Sequence, residues 1–220
     1  MKIKGIIFDF DGLILDTETA EVHIWEKVFD HFQLTFPLER YLDYIGSATD
    51  NRFVQDIMRE MSLSNDQIRL ALELYDHFTL TSGPFDNPRE GVVNTIQTGK
   101  ALNLRLAIAS NSHRDWVSGH LQNLKLDHVF DPVCTRDQVS HSKPHPEIYD
   151  LVLEKWRLPP SEVIAFEDSP SGIQAAKNAG IFCIAVPNPL TQKLPLDKAD
   201  RIYASFNDIN LRELIENFES

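Results

Sequence analysis

Phe8-Asp9-Phe10-Asp11-Gly12-Leu13-Ile14-Leu15-Asp16-Thr17 is the stretch on which the reading of this chain turns. It begins where the apolar run Gly5-Ile6-Ile7-Phe8 stops abruptly at an acid. A short run rich in Ile reads as a strand buried on both faces. In extended chain, residues two apart point the same way, so Asp9 and Asp11 are expected to face one pocket, with Gly12 allowing a sharp departure. Paired carboxylates suit phosphoryl chemistry, one attacking and the other moving a proton. They also repel each other, which calls for a cation such as Mg²⁺.

Three further apolar runs end in the same way. Leu104–Ala109 meets Ser110, Val163–Phe166 meets Glu167 and Asp168, and Ile181–Val186 meets Pro187. Helical patterns follow at 113–124 and 146–156. A third begins at Ser169, an N-cap residue followed by Pro170 and closed by Gly180. This alternation predicts an α/β fold, a Rossmann-like doubly wound parallel sheet. In such sheets ligands sit beyond the carboxyl ends of the strands, where Asp9, Ser110 and Asp168 fall.

Residues 18–82 break the rhythm. Trp25, Val28, Phe29 and Phe32 recur at helical spacing, and 51–61 and 65–78 also read as helices. The division expected is an inserted α-helical cap domain at 17–87 and a core domain at 1–16 and 88–220, with 86–91 as the return linker. Thr17 is expected to cap the first cap helix.

The chain has 220 residues, 42% hydrophobic and 25% charged, so it can bury a core without disulfides. Its two cysteines, Cys134 and Cys183, form no CxxC, which fits a reducing, cytoplasmic setting. A net charge of −12 argues against nucleic acid and anionic membrane as partners. An anionic substrate then needs a local positive site. The N-terminal apolar run meets Asp9 too early for a signal peptide, and no stretch approaches a membrane span. A monomer acting on a small phosphorylated metabolite is expected.

Four motifs in order resemble those of the haloacid dehalogenase superfamily. Asp9–Thr17 is similar to the first, Ser110-Asn111 to the second, Lys143 in His141-Ser-Lys-Pro-His-Pro-Glu147 to the third, and Glu167-Asp168 to the fourth. The insertion resembles the small helical cap of the subgroup that holds β-phosphoglucomutase and phosphoglycolate phosphatase. The resemblance implies Asp9 as nucleophile and Asp11 as general acid and base. It implies Ser110, Asn111, Gly12 and Lys143 around the phosphoryl group. Asp9, Asp168, the Asp11 carbonyl and Glu167 then serve as Mg²⁺ ligands. Glu21 and Arg52, with 44–52 around the latter, are the expected cap residues that read the leaving group.

Departures from the family narrow the reaction. Dehalogenases of the superfamily lack the second aspartate, present here as Asp11. Phosphonate hydrolases need a cap lysine, and the only lysine between Thr17 and Asn87 is Lys27, inside a helix pattern. β-Phosphoglucomutase has a cap histidine where this chain has Glu21, and a cap arginine where it reads Gly46-Ser-Ala-Thr49. A phosphatase is therefore expected through an aspartyl-phosphate intermediate. A phosphomutase and a non-catalytic phosphometabolite-binding protein are the alternatives. His141 and His145 lie four apart, but in a proline-bearing loop rather than on a helix face, which argues against metal ligation.

Overall fold

The computed structural model describes residues 2–43, 45, 52–82 and 87–219. Among the described residues, six strands form one sheet: β1 (Gly5–Phe8), β2 (Arg105–Ser110), β3 (Val133–Thr135), β4 (Val163–Glu167), β5 (Phe182–Ala185) and β6 (Arg201–Ile202). Their order is β3-β2-β1-β4-β5-β6, and every pairing is parallel. The first strand therefore lies in the middle, between β2 and β4. Strand order reverses there, the position at which a doubly wound sheet opens a crevice for a ligand. Phe8 is level with Ile108 on one side and Phe166 on the other. Asp9 and Glu167, one residue further on, thus emerge at one height. β3 and β6 were not anticipated: with three and two residues they are too short to show a periodicity.

The two-residue period of the strands separates two buried clusters. Ile6, Phe8, Ile108, Phe166 and Ile184 face α5 (Val92–Ala101), α6 (Arg114–Asn123) and α9 (Leu211–Glu219). Ile7, Ala107, Ala109, Ala165 and Cys183 face α7 (Glu147–Trp156) and α8 (Pro170–Asn178). Helices on both faces explain why the strands read as unbroken apolar runs.

Between β1 and α5 lie α1 (Thr17–His31), α2 (Leu38–Leu42), α3 (Arg52–Glu60) and α4 (Asn65–Ser82). They share a separate apolar cluster built on Trp25, Phe29, Phe36, Tyr41, Ile57 and Ala71. The aromatic stripe of α1 thus packs into the core of the insertion. The cap of α1 differs from expectation. Asp16 is the N-cap, its Oδ1 accepting from Thr19 N, because Thr17 already lies inside the helix. The Thr17 hydroxyl accepts instead from Gly12 N–H and ties down the preceding turn.

The chain returns through Arg89. Its backbone N–H donates to Ile14 O at 2.8 Å. Its guanidinium donates to the carbonyls of Gly12, Val186 and Pro187 at 2.6–2.8 Å. Both crossings are therefore bonded to each other and to the end of β5. Among the described residues, no helix is long and apolar enough to cross a membrane.

Candidate active site

Asp9 leaves β1 without leaving the sheet: its N–H donates to Phe166 O at 3.0 Å. Its side chain enters a buried group of charges. Lys143 Nζ lies 2.6 Å from Asp9 Oδ1 and 2.7 Å from Glu167 Oε1. Tyr149 OH donates to the same Glu167 oxygen, and the Tyr149 ring lies beneath the ammonium at 5.3 Å. Desolvation alone would lower the lysine's pKa, but Asp9 and Glu167 together hold it above its ordinary value. Lys143 is thus held as a cation between two carboxylates.

Asp168 follows at the end of β4, just before α8. Ser169 caps that helix by accepting from Gly172 N, and Pro170 occupies the first turn. Asp9, Glu167 and Asp168 each offer a carboxylate oxygen, all within 4.8 Å of one another. Burial pushes Asp9 up to about 8 although Lys143 opposes the shift, and burial raises Asp168 well above the carboxylate range. Asp168 Oδ1 and Glu167 Oε2 are buried without a hydrogen-bond partner. Orphaned carboxylate oxygens in a shared cluster are what a hard divalent cation would satisfy, so these residues fit Mg²⁺.

The Asp11 carboxylate lies outside that cluster. It accepts from Trp116 Nε1 at 2.8 Å, Ser112 Oγ at 2.7 Å and Ser110 Oγ at 3.2 Å. Strand alternation expected Asp11 to face the same pocket as Asp9; its charge is felt at Asp9, while its carboxylate oxygens are held by the β2–α6 loop and Trp116. Ser110, expected at the phosphoryl group, also accepts from Ser112 N at 3.0 Å. The Asn111 side chain braces the Lys143 loop, Oδ1 accepting from Lys143 N at 2.9 Å and Nδ2 donating to its carbonyl at 3.5 Å.

Gly12 has φ +75°, open to glycine and strained for other residues. A Cβ there would overlap Asp168 Oδ2 and would press on Asn188 and Glu18. Neither of those last two residues was expected at the site from the sequence, which placed Glu18 only at the hinge of the insertion. Asn188 Nδ2 donates to Glu18 Oε2 at 2.8 Å and to Asp168 Oδ2 at 2.9 Å, while its Oδ1 accepts from Leu190 N and Thr191 N. Burial pushes Glu18 up to about 8. A fourth apolar run ended at Pro187-Asn188, so the rule that flagged Asp9, Ser110 and Asp168 would also have found Asn188.

On the insertion, Glu21 accepts from Tyr75 OH at 3.3 Å and from Trp25 Nε1 at 3.4 Å, and Trp25 stacks on Tyr75. Its pKa is raised by burial and, in smaller part, by the charge of Asp11. Arg52 opens α3 with an exposed side chain. Tyr44 and residues 46–51, nominated with it, lie outside the described residues.

Comparison with known proteins places this geometry. Residues 6–186 match the model of the haloacid dehalogenase-like hydrolase family. The chain is 34% identical to YhcW of Bacillus subtilis over 218 residues, which are 99% of either chain. It is 31% identical to the fructose-1-phosphate phosphatase YqaB of Escherichia coli over 187 residues, covering 84% of this chain and 97% of that one. Among solved structures, that of CbbY from Rhodobacter sphaeroides with phosphate superposes with a TM-score of 0.72 at 25% identity, covering 94% of this chain and 96% of the other. The chain belongs to the haloacid dehalogenase-like hydrolases.

Proposed function

We propose that this haloacid dehalogenase-like hydrolase is a Mg²⁺-dependent phosphatase of small phosphomonoesters, sugar phosphates foremost, working through a phosphorylated Asp9. The observation that carries the reading is the buried Lys143 held between Asp9 and Glu167, beside Asp168. The sugar-phosphate class is supported by the similarity to the fructose-1-phosphate phosphatase of Escherichia coli.

In this reading an Asp9 oxygen attacks phosphorus as the bond to the leaving oxygen breaks, and Asp11 gives that oxygen its proton. Asp11 then takes a proton from water. The water oxygen attacks phosphorus, and the bond to Asp9 breaks to restore the carboxylate and release phosphate. Two easier displacements replace one difficult one. Lys143 neutralises charge on Asp9 and on the phosphoryl oxygens, and Ser110 and Asn111 hold the loops that frame them. Asp9, Asp168 and the Asp11 carbonyl, with Glu167 beside them, would hold Mg²⁺, which when bound supplies charge neutralisation between carboxylates and phosphate. Asp11 must swing from Trp116 toward the leaving group. Glu21, on the cap and within the field of Asp11, offers an acceptor for hydroxyls of that group.

A panel of phosphorylated metabolites, assayed for free phosphate with Mg²⁺ and with EDTA, tests the proposal. Mg²⁺-dependent release that is lost in Asp9→Asn supports it. Isomerised sugar phosphate without free phosphate, obtained with a hexose 1-phosphate and a bisphosphate activator, would instead establish a mutase.

A further inference from the structure

The loop that delivers Lys143 inward carries another set of donors on its outer side. His141 and His145 flank Lys143, and Glu147 follows at the first position of α7. His141 Nδ1 lies 3.0 Å from Glu147 Oε2, and His145 Nδ1 lies 3.9 Å from the same oxygen. One ligand atom from each residue lies within 4.8 Å of the others. The two imidazole rings are 4.7 Å apart and tilted by 35°. The side chains are 67%, 52% and 32% exposed, so an ion can reach them from solvent.

The sequence argued against ligation because the histidines sit in a loop. The structure removes that objection, since the loop is held at several points. The Glu147 carboxylate accepts from Ser140 N at 2.8 Å and from His141 N at 2.9 Å. His145 N donates to Ser142 O at 3.0 Å, and Asn178 Nδ2 donates to Pro144 O at 3.1 Å. Asn111 fixes the Lys143 peptide from the inner side. The three donors are therefore gathered before any ion arrives, and the carboxylate is already oriented by outer hydrogen bonds, as a metal ligand requires.

We propose that His141, His145 and Glu147 form a surface site for a divalent cation of the zinc, nickel or copper class, distinct from the carboxylate cluster at Asp9. Two imidazoles with one carboxylate suit these borderline ions, whereas Mg²⁺ prefers an all-oxygen shell. Three protein ligands leave a position open for water. Binding replaces the His141–Glu147 side-chain hydrogen bond and requires neutral imidazoles, so the ion competes with protons for them.

The experiment titrates the full chain with Zn²⁺ by calorimetry in excess Mg²⁺, alongside His141→Asn, His145→Asn and Asp168→Asn. One equivalent is expected to bind the parent. Affinity should fall by at least the roughly tenfold that loss of even an outer partner costs in each histidine variant, and should be retained in Asp168→Asn. With Co²⁺ as probe, a visible absorption band of low-coordinate nitrogen–oxygen ligation should appear in the parent and not in the histidine variants. Uptake unchanged by both histidine substitutions, uptake lost in Asp168→Asn, or no uptake below about 1 mM would each overturn the assignment.

Discussion

Lys143 Nζ stands 2.6 Å from Asp9 Oδ1 in a site where the lysine is 5% and the aspartate 7% exposed. The lysine compensates two carboxylates at once, since Glu167 shares it. Lys143→Met is expected to cut kcat by about 10²–10³-fold or more, the scale on which a single charge-stabilising donor acts. It should also cost about 3–5 kcal/mol in folding, because buried carboxylates lose their partner. That cost should shrink as pH falls below about 8, where Asp9 takes up a proton. Urea unfolding at several pH values, beside steady-state assays, checks both parts. A fully active variant contradicts the role given to Lys143.

Asp11→Asn separates the two proton transfers from the attack. Loss of a positioned acid–base group costs about 10²–10⁴-fold. The full loss is expected on sugar phosphates, whose alkoxide leaving group needs a proton. Formation of the phosphorylated enzyme from an aryl phosphate, which needs none, should be affected far less. Equal losses in a rapid-quench comparison of the two substrates would remove Asp11 from the leaving-group step.

Asn188→Ala breaks the bridge between Glu18 and Asp168. Loss of an outer partner of a metal ligand weakens metal affinity by about 10–100-fold. Calorimetric titration with Mg²⁺ is expected to show a loss of that size, with a smaller change in kcat once Mg²⁺ saturates. An unaltered Mg²⁺ affinity would make Asn188 a packing residue only.

The metal-free protein is expected to lose stability as pH rises. Asp9 and Glu18 are both held at about 8 by burial, above ordinary values of 3.8 and 4.5. Between about pH 4 and pH 8 the folded chain keeps protons that the unfolded chain releases, so their contribution is full at the acid end and vanishes through pH 8. The exposed acids Glu60, Asp137 and Glu147, with lowered pKa values, titrate below this window. Denaturant midpoints in EDTA should therefore fall from pH 5 to pH 8, and Mg²⁺ should flatten the slope. A flat profile in EDTA would contradict these shifts.

The sheet and its polar edge were legible because buried parallel strands leave an unmistakable signal, an apolar run cut off by an acid or a serine. Asp9, Ser110 and Asp168 each stand at such a break, and the order of the motifs gave Lys143 its place. Side-chain direction was not legible. Which groups hold the Asp11 carboxylate is set by Trp116 and Ser112, and they lie about a hundred residues away. Asn188 stood at the same kind of break and was overlooked, but its pairing with Glu18 was not legible: 170 positions apart in the chain, they meet only when α1 leaves the sheet beside the loop after β5. Thr17 illustrates a local competition, with Asp16 taking the helix cap and leaving the hydroxyl to Gly12.

Arg89 gives the molecule a particular mechanical character. The outgoing segment of the crossover is hydrogen-bonded to the incoming one through the Arg89 backbone, and the Arg89 guanidinium grips the Gly12 carbonyl. The two crossings therefore behave as a laced torsion bar rather than as two loose tethers. The inner end of that bar is the peptide one residue past Asp11. In the proposed mechanism, a swing of the helical cap twists it and is thereby geared to Asp11, the acid given the proton transfers.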